Sequence, residues 1–99
     1  MAKYFLTNKA VEDLAKIWDY TCEVWSESQA DKYYGILIDT CQEIAQSANI
    51  GKKYGEIAKG ILGFRVGKHI IFYHETKPKV VEVLRILHEK MDLKDRIEE

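Results

Sequence analysis

The amino-acid sequence predicts an α+β fold in which a helical hairpin packs on one face of a mostly antiparallel sheet. Two consecutive stretches, 8–25 and 27–48, carry apolar residues at three-to-four spacing, which is typical of amphipathic helices. Three β-rich runs follow, and the short connection at Gly67-Lys68 is typical of a tight hairpin turn. Two helices can cover only one face of a sheet, so the predicted order β-α-α-β-β-β gives one two-layer domain over residues 1–99.

Residues with a capping role delimit the two helices. Thr7 or Asn8 is expected to begin helix one, and Ser26 with Gln29 forms a capping box that begins helix two. The short connection makes the helices an antiparallel hairpin, in which Gly35 is expected to allow close approach to helix one. The predicted inward stripes are Ala10, Leu14, Ile17, Trp18, Thr21 and Trp25 on helix one, and Ala30, Tyr33, Tyr34, Leu37, Cys41, Ile44, Ala45 and Ala48 on helix two.

Four strands are expected, one before the helices and three after them. Lys3–Leu6 forms the first strand; after a loop over residues 49–59, Phe64–Val66 pairs with His69–Tyr73, and Val80–Leu87 follows. The first strand must lie beside one of the later three. No sequence remains to cover the face of the sheet away from the helices, so a ligand or partner is expected there. The chain ends in a short polar tail.

Charge is distributed unevenly along the chain, although the formal net charge is only −1. Residues 1–49 hold four lysines and eight acidic residues, whereas residues 50–99 hold eleven lysines or arginines and eight acidic residues. A basic sheet beside an acidic helical layer favours a polyanion, or a protein that handles one, as partner. A sheet edge guarded by solvated lysines is the alternative interpretation.

Composition narrows the class of protein. No apolar run reaches the roughly 18 residues that a membrane span requires, and the N-terminus lacks the apolar region of a signal peptide. A cytoplasmic protein is therefore expected, with Cys22 and Cys41 as reduced core thiols. The histidines and cysteines show no metal-ligand spacing, so neither a metal nor a cofactor is expected.

Two groups of residues resemble the ParE toxins of the RelE/ParE superfamily. The first group opens the chain and the second closes its sheet, so the resemblance covers almost the whole length. The residues that carry it are Phe5-Leu6-Thr7, Ala10, Asp13-Leu14, Ile17-Trp18-Asp19-Tyr20-Thr21, Trp25, Gln29-Ala30, Tyr33 and Leu37 in the first group, and Phe64-Arg65, His69-Ile70-Ile71-Phe72-Tyr73, Arg85-Ile86-Leu87-His88 and Met91-Asp92 in the second. The segment Asn49-Ile50-Gly51 departs from the family, whose members often have a proline before the glycine.

The resemblance implies the toxin of a type II toxin–antitoxin pair with a RelE/ParE-like fold. Toxins of this kind usually trap the complex of DNA gyrase with cleaved DNA and so block replication. A ParD-like antitoxin neutralises them, and operator DNA is bound only through the toxin–antitoxin complex. The expected target-facing residues are Arg65, Arg85, His88, Met91 and Asp92, and the expected antitoxin-facing residues are Trp18, Tyr34, Ile38, Arg65, Lys68 and Arg85.

Two alternatives to a gyrase inhibitor stay open. A ribosome-dependent mRNA endonuclease of the RelE type would use Arg65 and Arg85 as cations for the phosphate charge and His88 as acid or base. The C-terminal segment offers no tyrosine for proton transfer, so a binding inhibitor that is not an enzyme is the favoured interpretation. The other alternative is an attenuated homologue that serves mainly as antitoxin partner and co-repressor. A purely structural role would pair the same arginines with Glu75 or Glu82 across the strands.

Overall fold

The computed structural model of the chain describes residues 2–54 and 59–90. Two helices pack on one face of a five-stranded sheet, which confirms the predicted α+β architecture. A strand of two residues is added within the stretch that was expected to be a loop, and the predicted C-terminal tail lies outside the described residues. The elements are β1 (Lys3–Leu6), α1 (Asn8–Val24), α2 (Glu27–Gln46), a 3₁₀ turn (Ala48–Ile50), β2 (Lys52–Lys53), β3 (Leu62–Val66), β4 (His69–Lys77) and β5 (Val80–His88).

The sheet has the strand order β1-β5-β4-β3-β2. β1 lies at one edge and runs parallel to β5, while the other neighbouring strands pair antiparallel. The predicted pairing of β3 with β4 is confirmed, with Phe64 opposite Ile71 and Val66 opposite His69. Gly67 has a φ of +57°, which glycine adopts at little cost and which a tight hairpin turn requires at this position. The first strand of the chain therefore lies beside the last.

Capping side chains begin both helices where the sequence predicts. The Thr7 hydroxyl accepts the N–H of Ala10 at 3.1 Å, and the Ser26 hydroxyl accepts the N–H of Gln29 at 3.0 Å. Each bond satisfies one of the free donors in a first helical turn. The prediction that Trp25 belongs to the inward stripe of helix one is wrong, because Trp25 follows the last residue of α1 and is 74% exposed. In the part of the chain that is described, neither helix has the length and apolar character needed to cross a membrane.

The main core lies between the helices and the sheet. Apolar side chains of both helices meet alternate residues of β4 and β5, and each Å² of apolar surface buried there contributes about 25 cal/mol. Tyr73 is fully buried at the centre, and its hydroxyl donates to the carbonyl oxygen of Ala48 at 2.5 Å. This bond ties the 3₁₀ turn to the middle of the sheet. The buried members of the core are Ala10, Leu14, Leu37, Cys41, Ile44, Ala45, Ala48, Val66, Ile71, Tyr73, Val81, Val83 and Ile86.

The face of the sheet away from the helices is partly covered, which corrects the prediction of an open face. Ile70, Phe72 and Leu87 are buried there and pack against Tyr54 and Ile61. The rings of Tyr54 and Phe72 meet edge to face with their centroids 5.1 Å apart. Two residues near the predicted loop thus supply a cover that a count of helices does not predict.

Two glycines differ in what surrounds them. A Cβ added at Gly35 would have no atom within 4 Å, so the predicted close approach to α1 is wrong. A Cβ added at Gly51 would lie 2.8 Å from Cζ of Tyr73 and would overlap the hydroxyl of the same ring. Gly51 is therefore required by packing, whereas Gly35 is not.

We expect Gly51→Ala to lower the free energy of unfolding by about 2–3 kcal/mol, because the buried Tyr73 ring has no room to withdraw. Gly35→Ala is the matched control and should raise the free energy of unfolding by roughly 0.5–1 kcal/mol, since alanine favours the helix. Urea denaturation of both variants measures the difference. Equal effects of the two substitutions would contradict the assignment of Gly51 to a packing role.

Candidate functional site

A cleft of about 490 Å³ lies between α1 and the C-terminal end of β5. It exists because β1 ends opposite Val83, so that β5 continues beyond its neighbouring strand. Arg85 and His88, two of the predicted target-facing residues, lie in it, whereas Met91 and Asp92 are outside the described residues. The residues that line the cleft are Asp13, Lys16, Ile17, Tyr20, His69, Arg85, Ile86, Leu87 and His88.

The first turns of α1 cap the edge of β5 that β1 leaves uncovered. The N–H of Thr7 donates to the carbonyl oxygen of Val83 at 3.1 Å, and the Thr7 hydroxyl donates to that of Leu84 at 2.8 Å. Further along the helix, the carboxylate of Asp13 accepts the N–H of Ile86 at 3.0 Å. Thr7 and α1 thus supply partners for three backbone groups of β5 that lie at or beyond the end of β1.

Asp13 also holds the guanidinium group of Arg85. Nε of Arg85 lies 2.8 Å from Oδ2 of Asp13, and Nη2 lies 3.0 Å from Oδ1, so the contact is bidentate. The two side chains are only 12% and 8% exposed. Arg85 thus pairs with Asp13 rather than with Glu75 or Glu82. Glu82 contacts His74 at 2.8 Å, and Glu75 accepts the N–H of Lys79 at 3.2 Å. Arg85 is therefore fixed in direction by α1 rather than by its neighbours in the sheet.

Arg65 lies outside the cleft, at the end of the sheet near the β3–β4 turn. Its Nη2 is 2.5 Å from the carboxylate of Glu89, and its side chain is 64% exposed. The N–H of Glu89 donates to the carbonyl oxygen of Lys68 at 2.9 Å, so these three residues share one end of the sheet. An exposed pair of this kind contributes at most about 1 kcal/mol, which leaves the Arg65 guanidinium able to exchange partners.

Two histidines form one wall of the cleft, and Tyr33 supports one of them from behind the wall. His69 and His88 lie opposite each other on β4 and β5, with their rings edge to face and their centroids 5.4 Å apart. Tyr33 reaches from α2 and donates its hydroxyl proton to the carbonyl oxygen of Val66 at 3.1 Å, and the same hydroxyl lies 2.7 Å from Nδ1 of His69. Nδ1 of His88 accepts the N–H of Lys90 at 3.1 Å. The neutral His88 ring therefore carries its proton on Nε2.

The electrostatic setting of this wall keeps His69 uncharged. Burial lowers the pKa of His69 from 6.5 to about 4, the neighbouring His88 adds to the effect, and Asp13 and Glu89 oppose it. Burial also raises the pKa of the Tyr33 hydroxyl. Both groups are neutral at pH 7 and act as hydrogen-bonding supports. Among residues 2–54 and 59–90, no three His, Cys, Asp or Glu side chains gather closely enough to hold a metal ion.

The predicted antitoxin-facing residues fall in separate places. Trp18 and Tyr34 line a groove of about 330 Å³ between α1 and α2, and the indole N–H of Trp18 donates to Asp31 at 3.0 Å. Their position in an outer groove corrects the prediction that they belong to the inward stripes. Ile38 is half-buried against the main core and does not line this groove. The three basic residues of the same prediction lie in the sheet and its hairpin turn.

Four polar residues of the cleft were missed by the sequence analysis as site residues, namely Asp13, Lys16, Tyr20 and His69. The sequence did contain an indication that Asp13 has a specific partner. This residue lies on the buried stripe of α1, next to Leu14, where a carboxylate needs a cationic or N–H partner. Nothing in the sequence distinguishes Lys16 and Tyr20, because an exposed lysine or tyrosine on a helix is common.

The fold is found in a solved structure described as "Chromosomal ParDE TA system from P. aeruginosa". One of its chains matches with a TM-score of 0.74 at 22% sequence identity, over 89% of this chain and 96% of that chain. At this identity the likeness shows the fold alone. The protein is thus a small α+β domain, two helices on a mixed sheet, of the architecture seen in that chain.

Sequence comparison identifies the family. A family model for the "ParE toxin of type II toxin-antitoxin system, parDE" matches residues 4–93. The chain is 33% identical over 92 residues to Toxin ParE1 of Mycobacterium tuberculosis, which is 93% of this chain and 94% of that protein. It is 30% identical over 97 residues to Toxin ParE of Escherichia coli, which is 98% of this chain and 94% of that protein. The chain belongs to the ParE toxin family of type II toxin–antitoxin systems, as the resemblance in its sequence had indicated.

We expect Asp13→Ala to lower the free energy of unfolding by about 3 kcal/mol, because it leaves the Arg85 charge without its main partner and removes the acceptor of the Ile86 N–H. Glu12→Ala, one position earlier and exposed, is the matched control and should stay within about 0.5 kcal/mol of the parent chain. Chemical denaturation monitored by tryptophan fluorescence measures both. A loss for Asp13→Ala no larger than that of the control would show that the pair does not stabilise the fold.

His69 makes stability depend on pH in a defined direction. Its pKa is lower in the folded chain than its ordinary value of 6.5, so the unfolded chain binds the proton more readily. The stabilisation is complete above about pH 6.5 and declines as the pH falls toward 4, by on the order of 1–2 kcal/mol once solvent exposure is allowed for.

We expect His69→Gln to lose less stability than the parent chain between pH 7 and pH 4.5, because glutamine does not titrate. Gln46→Ala, which replaces an exposed side chain that does not titrate, is the control and should keep the parent's pH dependence. Denaturation curves at both pH values give the comparison. Identical pH dependence in the parent and His69→Gln would contradict a low pKa for His69.

Proposed function

We propose that this member of the ParE toxin family inhibits growth by binding DNA gyrase and stabilising its complex with cleaved DNA, and that an antitoxin of the ParD type neutralises it. The observation that carries a binding rather than a catalytic role is the engagement of the cleft's polar groups. Arg85 is held by Asp13, His69 is neutral, and Nδ1 of His88 is occupied by a backbone N–H. On this proposal the chain is not an enzyme and acts in the cytoplasm, where gyrase is.

Cleavage of RNA makes demands that this arrangement meets poorly. Attack by a 2′-hydroxyl needs a base at that hydroxyl and an acid at the leaving oxygen. The neutral His88 ring offers an N–H at Nε2, which is a hydrogen-bond donor rather than a base. His69 has a pKa of about 4 and is tied to Tyr33, so it is not a general acid at neutral pH. The same groups are well suited to hold a protein surface by hydrogen bonds.

The target-binding surface that we propose comprises the cleft and the end of the sheet beside it. Arg85 and His88 lie in the cleft, and the exposed guanidinium of Arg65 lies next to Glu89 at the end of the sheet. Arg85, which is held by Asp13, offers a partner a contact in a fixed direction. Arg65, which is exposed, can exchange Glu89 for a group of the partner. Met91 and Asp92, which follow His88 closely in the sequence and lie outside the described residues, complete the proposed set.

The proposed antitoxin contacts have a separate physical basis. Trp18 and Tyr34 line the groove together with Ala15, and Tyr34 is 41% exposed, so burial of these apolar surfaces by a partner would be favourable. Ile38 lies about one turn along α2 from Tyr34 and is half-buried against the main core. A disordered antitoxin tail gains affinity by burying such surface, while its acidic side chains meet Arg65, Lys68 and Arg85. Operator DNA would be contacted by the antitoxin within the complex.

A ribosome-dependent mRNA endonuclease is the second candidate function. It is favoured by the gathering of Arg85, Lys16 and two histidines in one cleft, a set that would also attract a phosphate backbone. An attenuated homologue, acting mainly as antitoxin partner and co-repressor, would share the same fold and the same antitoxin surface.

Two assays on the purified chain test the proposal directly. In the first, gyrase acts on plasmid DNA, and we expect accumulation of linear, cleaved plasmid that depends on the added chain. In the second, translating ribosomes carry labelled mRNA, and we expect the mRNA to stay intact. His88→Ala should weaken the gyrase effect by about tenfold if its ring donates one hydrogen bond to the target, whereas His74→Ala, on the same sheet outside the cleft, should not. Cut mRNA with unaffected gyrase would overturn the proposal in favour of the endonuclease, and inactivity in both assays would favour the attenuated homologue.

A further inference from the structure

The hydroxyl of Tyr33 contacts two groups at the end of the sheet, and it has one proton to donate. Its oxygen lies 3.1 Å from the carbonyl oxygen of Val66 and 2.7 Å from Nδ1 of His69. A carbonyl oxygen can only accept, so the Tyr33 proton points to Val66. Otherwise two oxygens would face each other at 3.1 Å with no proton between them. Nδ1 of His69 therefore carries a proton and donates it to the Tyr33 oxygen.

The two histidines of the cleft thus hold their protons on different ring nitrogens. His69 is neutral, because burial lowers its pKa to about 4, and with its proton on Nδ1 it presents a lone pair at Nε2. His88 accepts the N–H of Lys90 at Nδ1, so its neutral ring presents an N–H at Nε2. One wall of the cleft therefore offers one hydrogen-bond acceptor beside one donor.

Both Nε2 atoms are available to a partner. Among residues 2–54 and 59–90, no buried side-chain nitrogen or oxygen is without a hydrogen-bond partner. The Nε2 atoms of His69 and His88 take no partner from that part of the chain, so they are not buried atoms and are open where the two residues line the cleft. Water or a group of a bound molecule can reach them.

A group that satisfies both Nε2 atoms has to donate and accept at once. A carboxylate only accepts, and an ammonium or guanidinium group only donates, whereas a primary carboxamide donates from its nitrogen and accepts at its oxygen. The ring centroids of His69 and His88 are 5.4 Å apart, a span that one carboxamide with a hydrogen bond on either side can bridge. Ile17 and Leu87 line the same cleft and would contact the methylene groups of the incoming side chain.

We infer that His69 and His88 together bind one side-chain carboxamide of the target, from an asparagine or a glutamine, and that Tyr33 is the positioning residue that gives His69 the tautomer this requires. The inference rests on the proposed function, because it takes the target to be the partner in the cleft. It deepens that function by naming the chemical group that is recognised.

Nitrogen NMR of the two rings tests the tautomers. Two-bond proton–nitrogen spectra separate a protonated ring nitrogen from an unprotonated one, and at pH 7 we expect Nδ1–H for His69 and Nε2–H for His88. In Tyr33→Phe, with the fold checked by its amide spectrum, the His69 proton loses its acceptor and the Nδ1–H form should no longer dominate. Tyr54→Phe, which removes a hydroxyl on the other face of the sheet, is the matched control and should leave the tautomers unchanged. An Nε2–H form of His69 in the parent chain would overturn the inference.

Three neutral fragments of similar shape test the class of ligand. Benzamide donates and accepts through two atoms, acetophenone only accepts, and benzyl alcohol donates and accepts through one oxygen. Each is titrated into the parent chain and followed by the ring signals of His69 and His88. We expect benzamide to bind saturably and about tenfold more tightly than acetophenone, a difference that one hydrogen bond supplies. In Tyr33→Phe this advantage should disappear. Benzyl alcohol or acetophenone binding as well as benzamide, or no binding of benzamide, would show that the cleft has no carboxamide site.

The gyrase assay separates this inference from the proposed function. Where the parent chain yields linear plasmid, we expect Tyr33→Phe to need about tenfold more protein for the same yield, whereas Tyr54→Phe should match the parent. An undiminished yield with Tyr33→Phe would mean that the target does not use the histidine pair, and the inference would be wrong while the proposed function stands. If the parent chain yields no linear plasmid, the proposed function is wrong and the carboxamide site is decided by the fragments.

Discussion

The carboxylate of Asp13 is the contact on which the arrangement of the two layers depends. β1 has only four residues because the chain turns into α1, so the second half of β5 has no neighbouring strand on that side among residues 2–54 and 59–90. A bare strand edge inside a packed domain would leave backbone groups without partners, at a cost of about 1–3 kcal/mol each. Asp13 satisfies one of them, and Arg85 makes the burial of that carboxylate tolerable. One side chain thus fixes the helical hairpin relative to the sheet and shapes the cleft between them.

The layers differ in charge as well as in structure. The helical hairpin over residues 8–46 holds three lysines against eight acidic residues, whereas residues 50–54 and 59–90 hold nine lysines or arginines against three glutamates. Such a separation orients an approaching partner before contact and is weakened by salt. It also makes Asp13 unusual, because its carboxylate belongs to the acidic layer but binds a cation of the basic one. The cleft forms where the two charge fields meet, which is why it carries groups of both signs.

Sequence reasoning predicted the elements well and the contacts between them poorly, for identifiable physical reasons. Helix periodicity and capping are local, so Thr7 and Ser26 were assigned correctly. The partner of Arg85 was not, because Asp13 is distant in sequence and only the parallel placement of β1 brings it near. The open face was predicted by counting helices, and Tyr54 and Ile61 showed that irregular chain can cover a sheet as well. The cleft exists because β1 ends before β5 does, and no local sequence pattern predicts how far two distant strands pair.

Overlap between the proposed target and antitoxin surfaces follows from this geometry. Arg65 and Arg85 belong to both proposed sets, and Arg85 lies in a cleft that is a single space of about 490 Å³. Two partners cannot both fill this cleft, since its lining is one continuous set of residues on α1, β4 and β5. An antitoxin that bound there would exclude gyrase by occupancy, with no change in the toxin's conformation. An antitoxin confined to the groove with Trp18 and Tyr34 would instead have to block gyrase by steric hindrance from outside the cleft, or by shifting the helices. The Asp13–Arg85 pair favours occupancy, because a buried bidentate pair holds the cleft in one shape whether or not a partner is present.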